Sequence, residues 1–267
     1  EEFLYDDKIN LEIDDAFYKY FEFGTAGMRG ILGPGTNRIN VYTIRKATIA
    51  FATFLANKFK DARDRGVVIS HDNRHMSREF TLLSAETLND FGIKTYIFDA
   101  LRPTPELSFA VRYLKACAGI MITASHNPKQ YNGYKVYDET GCQLVPDKIK
   151  RLLEIIASLP NELEVEYEVA KQRGENILLD NKVDDEYVRL VESIAINKDL
   201  DKSNFKVVFT PNHGTSYVNS MRIFKDLGYR IYPVMSQVDP DPDFSGTLSP
   251  NPEDASSLIE PIKLAKE

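Results

Sequence analysis

At 267 residues the chain exceeds one average domain, and its 33 Lys and Arg against 40 Asp and Glu leave a formal charge of −7. That acidic balance argues against broad nucleic-acid binding, so a site for anionic ligands has to rest on a local basic cluster. There is no apolar run of membrane-spanning length, no secretory leader is legible, and the only two cysteines are Cys117 and Cys142, so a cytoplasmic globular protein is expected.

In chain order, Leu11, Ala16, Phe17 and Tyr20 recur near helical spacing and predict a short lead helix, followed by a glycine-rich loop over residues 24–35. Residues 43–60 carry Ile44, Ala47, Phe51, Phe54 and Leu55 on one helical face, and residues 66–70 read as a buried strand. Ser77 is expected to cap a helix running to about residue 89. Strand 92–97, helix 105–114 and strand 117–123 continue the alternation, Cys117 being a buried strand residue, and residues 133–137 are expected to add an edge strand. A helix over 146–158 precedes an acidic stretch, 162–181, readable as a loop or a pair of edge strands, and then a helix over 184–196. The composition turns polar at 198–204, where a domain boundary is expected: residues 1–200 form one unit and 201–267 a second. The second unit offers strand 205–209, helix 216–227, strand 229–233, a proline-rich connection and a final helix over 253–265. The fold class is therefore α/β: a three-layer α/β/α domain with a mixed, mostly parallel sheet, then a second α/β domain too small to be whole.

The most informative residue is Ser125. The apolar run Ala118-Gly119-Ile120-Met121-Ile122 delivers it into the turn Thr123-Ala124-Ser125-His126-Asn127-Pro128, at a strand's C-terminal end, where open α/β sheets do their chemistry. Pro128 lacks an N–H and restricts Asn127 to extended conformations, which stiffens the turn. A hydrolase nucleophile would sit in a G-x-S-x-G elbow, absent here, and an extended Ser125 would point away from its neighbour His126. The remaining reading is a serine that carries a phosphoryl group, supported by nearby cations such as Lys129, Lys135 and His126.

This segment resembles the active-site signature of the α-D-phosphohexomutases, the phosphoglucomutase and phosphomannomutase superfamily. The likeness extends to Phe23-Gly24-Thr25-Ala26-Gly27-Met28-Arg29-Gly30, His71-Asp72-Asn73-Arg74-His75-Met76-Ser77, Arg102-Pro103-Thr104-Pro105, Asn132-Gly133-Tyr134-Lys135 and Thr210-Pro211-Asn212-His213-Gly214-Thr215, six ordered motifs in all. The resemblance implies that Ser125 is phosphorylated in the resting enzyme and gives its phosphoryl group to a hexose monophosphate. The bisphosphate, glucose 1,6-bisphosphate, is then intermediate and activator. On that reading Arg29 stabilises the transferring group, Lys135 acts as general acid/base or electrostatic partner, and His126 donates to a phosphoryl or substrate oxygen. Thr25, Gly27, Lys129, Asn127 and His213 are candidate phosphate or substrate contacts, although Lys129 also reads as a solvated rim charge and His213 as a turn residue. Arg74 and His75 read more simply as surface turn residues.

The resemblance also implies Mg²⁺, held against the phosphoserine by an Asp-x-Asp-x-Asp-Arg loop. This sequence contains no such loop, so Ser125, through its phosphate, is its one expected metal contact. Asp239-Pro240-Asp241-Pro242-Asp243 is not a substitute, because its prolines fix the backbone and Phe244 stands where a calcium loop needs glycine. The sequence thus corresponds to the N-terminal part of a mutase and is expected to be inactive alone. Glucose phosphates are the expected substrates, with mannose or pentose phosphates as near alternatives. A non-catalytic sugar-phosphate-binding fragment is the rival class. Neither a nucleic-acid nor a membrane partner is expected, and oligomeric state is not legible.

Overall fold

A computed structural model describes residues 7–24, 27–161 and 163–267. Six strands form the main sheet: β1 (Met28–Ile31), β2 (Val67–His71), β3 (Thr95–Phe98), β4 (Ala118–Ile122), β5 (Tyr131–Tyr137) and β6 (Asn176–Leu179), in the spatial order β1-β5-β4-β2-β3-β6. The four strands β4, β2, β3 and β6 run parallel, whereas β5 is antiparallel to β4 and β1 antiparallel to β5. β2 and β4 are buried along their whole lengths, as central parallel strands with both faces covered must be.

Helices α2 (Val41–Lys58), α4 (Ser77–Asp90) and α6 (Pro146–Ser158) cover one face, and α5 (Thr104–Tyr113) and α7 (Asn181–Ser193) cover the other; α1 (Asp7–Phe17) and the single turn α3 (Ala62–Arg65) complete the first unit. The first core joins Phe51, Phe54 and Leu55 of α2 with Phe80 and Leu88 of α4, and each such side chain contributes about 1.5–3 kcal/mol by leaving water. α2 starts where Asn40 and Thr43 form a reciprocal capping box, the Asn40 side chain accepting from the amides of Tyr42 and Thr43.

In the second unit β7 (Lys206–Phe209) and β8 (Arg230–Pro233) pair in parallel, with α8 (Tyr217–Asp226) between them and α9 (Ile259–Lys266) following. It meets the first unit through polar contacts. Asn219 of α8 donates to Glu106 of α5 at 2.7 Å, both of them buried, and Arg222 pairs with Asp185 of α7 at 2.8 Å.

Four expectations need correction. Residues 28–31 are not loop: they form β1, a strand too short to show a pattern and fixed only by pairing with β5, about a hundred residues away in sequence. β5 is consequently interior, not an edge. Ser77 does not cap α4; Met76 occupies the cap position at φ 65, and the Ser77 hydroxyl donates to Asp72 at 2.8 Å. The last α-helix begins at Ile259 rather than near 253, after a 3-10 turn over Ala255–Leu258, because Pro261 is tolerated only in a helix's first turn. The acidic stretch yields one edge strand, β6, pinned where Asn89 and Thr95 donate to the Asn176 side-chain oxygen at 2.5 and 2.6 Å.

Candidate active site

The chain moves from β2 outward to β3 and then back across β2 to β4, so the crevice between the ends of β2 and β4 is a topological switch point. The turns after both strands meet there. Ser125 is exposed just beyond the buried end of β4, with φ 58, a left-handed conformation uncommon outside glycine. Its amide donates to the Thr123 hydroxyl at 2.9 Å, and the Asn127 amide donates to the Ala124 carbonyl at 3.2 Å. The left-handed bend corrects the extended reading of this serine. It brings His126 Nδ1 to 3.3 Å from Ser125 Oγ, so the two neighbours share a side of the turn. The described residues give His126 no carboxylate partner, so the pair lacks the third member that orients a hydrolase histidine.

The cations arrive on β1 and β5. Register places Arg29 opposite Gly133, two residues from Lys135, so the strands' two-residue period puts Arg29 and Lys135 on one face. Arg29 donates to the Asn127 side-chain oxygen at 2.9 Å, which occupies Asn127 in holding the arginine to the serine turn. Burial, and secondarily the nearby Arg29 charge, hold the Lys135 ammonium below the usual lysine range, the direction a proton-transferring lysine needs.

The glycines act differently from expectation. The Gly24 and Gly27 amides donate to each other's carbonyls at 3.0 Å, so neither is turned outward to an anion. Gly27, at φ 90, matters for closeness: a Cβ there would collide with the Tyr134 carbonyl. At Gly133 a Cβ would lie 2.5 Å from the Met28 carbonyl oxygen and 2.8 Å from that of Thr123. Three backbones converge through that gap. Thr25 lies outside the described residues.

The other candidates divide. Lys129 is exposed and pairs with Asp243 at 3.0 Å, and His75 reaches the same carboxylate at 3.3 Å, so the proline-rich connection of the second unit touches the rim of the serine turn. His213 is buried with both ring nitrogens engaged. The Gly246 amide donates to its Nε2 at 2.9 Å and its Nδ1 lies 2.9 Å from the Asp239 carbonyl, leaving neither nitrogen for a phosphate. Arg74, which reads as a surface residue in the sequence, is 3% exposed and lies beneath the turn, donating to four of its carbonyls. No periodicity announces this; the family-like motif around Asp72 is the one signal in the sequence.

Among the described residues no group of three or more His, Cys, Asp or Glu side chains is placed to hold a metal ion. The Asp241 carboxylate has its pKa drawn down to about 2, chiefly by hydrogen bonding from Ser245 and less by the Asp243 amide, and Asp243 is occupied by Lys129 and His75. These residues do not fit Mg²⁺. No helix among the described residues is long and apolar enough to cross a membrane.

Fold and site together define a class: a three-layer α/β/α domain with an exposed serine on a turn at the switch point, an arginine bonded to that turn and a lysine on the arginine's side of the sheet. Residues 21–162 match the family model for phosphoglucomutase/phosphomannomutase alpha/beta/alpha domain I, and residues 185–267 match that for domain II. The chain belongs to the phosphoglucomutase/phosphomannomutase family. It is 39% identical over 265 residues to a phosphoglucomutase of Staphylococcus epidermidis, covering 98% of this chain and 48% of the relative. To a phosphoglucomutase of Staphylococcus aureus it is 37% identical over 266 residues, covering 99% and 47%. Among solved structures, a provisionally named phosphomannomutase from Thermus thermophilus superposes with a TM-score of 0.75 at 26% identity, over 93% of this chain and 52% of that one. The chain spans about half the length of the curated relatives it matches.

Proposed function

We propose that this chain carries the phosphoserine of a phosphohexomutase that interconverts hexose 1-phosphate and hexose 6-phosphate, with α-D-glucose phosphates as substrates. The observation that carries the reading is Ser125, exposed and held at φ 58 with His126 3.3 Å from its hydroxyl and Arg29 tied to the same turn. In the first half-reaction the Oγ–P bond of phosphoserine breaks as a sugar hydroxyl oxygen bonds to that phosphorus. The sugar's proton passes to Lys135 and the serine oxygen recovers a proton, for which His126 is within reach. The bisphosphate then returns its other phosphoryl group to Ser125 by the reverse steps, so no net transfer occurs. Such chemistry rests on positioning and charge: the Arg29 guanidinium supplies the standing positive charge, and Lys135, entering as the neutral amine, becomes the ammonium only as it takes the sugar's proton.

Glucose is preferred because the Staphylococcus relatives at 39% and 37% identity are named phosphoglucomutases, whereas the phosphomannomutase likeness is at 26%. We place the boundary between units at 200/201, with α7 bound to both, through Arg102 and Asp184 on one side and Arg222 and Asp185 on the other. The chain alone is expected to accept a phosphoryl group without turning over. Intact mass tests the core of the reading. One phosphoryl group on freshly isolated full-length protein, absent from Ser125→Ala, is the expected result, and an unmodified wild-type serine that glucose 1,6-bisphosphate also fails to phosphorylate would refute it. A coupled assay across glucose, mannose and pentose phosphates decides the sugar.

A further inference from the structure

Beneath the serine turn, Arg74 is almost wholly buried in a position that no role in binding sugar or phosphate explains. Its Nη1 donates to the carbonyls of Pro128 and Tyr131 at 2.8 and 3.0 Å, and its Nη2 to those of Ser125 and Asn127 at 2.9 and 2.5 Å. One planar fork thus gathers both ends of the turn from Ser125 to Tyr131, a geometry that a lysine's single ammonium cannot reproduce. Burial presses against the guanidinium charge, and the Asp72 carboxylate, 3.4 Å from Nε, offsets it. Asp72 is itself fixed by the Arg74 amide at 3.0 Å and the Ser77 hydroxyl at 2.8 Å. From the other side the Phe244 ring lies 5.3 Å from the guanidinium carbon. Phe244 adopts φ 55, a real outlier for a bulky residue, and is buried, so the connection in the second unit is wound to deliver that ring.

We infer that Arg74 is a positioning residue for phosphoryl transfer: by holding four turn carbonyls it fixes the left-handed Ser125, and Phe244 of the second unit presses it into place. This rests on the mutase reading for its consequence and on geometry alone for the anchoring. A serine that must meet an in-line phosphorus loses rate steeply when displaced, and about 1 Å of misplacement can cost about 10²-fold.

The test compares wild type with Arg74→Lys in the full-length protein. Amide hydrogen exchange at Ser125, Asn127 and Tyr131 is expected to quicken by about tenfold or more, with β2 and β4 unchanged, as local rather than global opening requires. In the glucose 1-phosphate assay kcat is expected to fall by about 10²-fold while KM stays within about threefold, the signature of an interaction that acts in the transition state. Unchanged exchange in the turn, exchange raised equally across the sheet, or an unchanged kcat would each overturn the inference. If Arg74→Lys does not fold, Phe244→Leu keeps the fork and removes the ring pressing on it; the same three amides are then expected to quicken by a smaller factor, and no change there overturns the inference. The exchange measurement needs no turnover, so a wild type with no phosphoserine would sink the mutase reading while Arg74 is still judged by its own result.

Discussion

The turn after β4 and the turn after β7 begin alike and end differently. In each, a threonine at the strand end accepts the amide two residues on, Ser125 to Thr123 and Asn212 to Thr210, both at 2.9 Å. Each passes through left-handed backbone, at Ser125 in the first and at Asn212 and His213 in the second. Yet the first presents its hydroxyl and imidazole outward, whereas the second buries its histidine between the Asp239 carbonyl and the Gly246 amide. The shared local geometry does not make a site. What separates the turns is where the polar groups go once the backbone has bent: toward solvent and cations in one, into the joint of the second unit in the other.

The widest break in this comparison is Ser125→Ala, expected to remove the phosphoryl group and lower mutase turnover by at least about 10³-fold, read by intact mass and the coupled assay. The two histidines should then behave oppositely. His126→Ala is expected to cost turnover about 10²-fold with the melting temperature unmoved, since it is exposed and, on the proposed mechanism, passes a proton to the serine oxygen. His213→Ala removes both hydrogen bonds of a buried imidazole and is expected to cost about 1–3 kcal/mol in urea unfolding while leaving phosphoserine content intact.

A subtler test concerns the joint between the units. Burial, with the Asp184 carboxylate beside it, holds the Glu106 carboxyl protonated, its pKa pushed up to about 9 from 4.5, while Arg102 grips Asp184 with 2.7 and 2.9 Å bonds. A carboxyl with a raised folded-state pKa contributes stability that is full below the unfolded value and lost as pH climbs toward the folded one. Asp184, whose pKa is lowered, contributes in the opposite sense as pH falls. Glu106→Gln, always neutral, should therefore gain on wild type in melting temperature as pH rises from about 5 to about 9, the sign of the linkage relation. The smallest effect is expected at Asp243→Asn, which frees Lys129 and His75 on an exposed rim: no resolvable change in melting temperature, and a change in substrate KM only at low salt.

The alternating pattern of long elements is legible because each carries its own signal: α2 announces itself through its apolar face, and β4 through five consecutive buried residues. Ser125, Arg29 and Lys135, the residues of the proposed site, are singled out by motif, and the structure ties Arg29 to the serine turn and sets Lys135 on the same sheet face. What escapes is everything fixed by distant partners. β1 exists because β5 supplies its hydrogen bonds, and Arg74 is buried because four carbonyls from the turn after β4 surround it. His126 is misread from sequence because an extended backbone is the ordinary expectation where this chain bends left-handed.

The pairing of β1 with β5 carries a last consequence. Arg29 and Lys135 share a face only because both strands keep an even count from the pair Arg29 and Gly133. Change a residue and the site is retuned; change the length by one between Asn132 and Lys135 and every later side chain of β5 trades faces. Lys135 would turn toward the core built on Ile44 and Phe51, and Tyr134 would come out in its place. For this pair of strands, then, length is held as tightly as the glycine at 133.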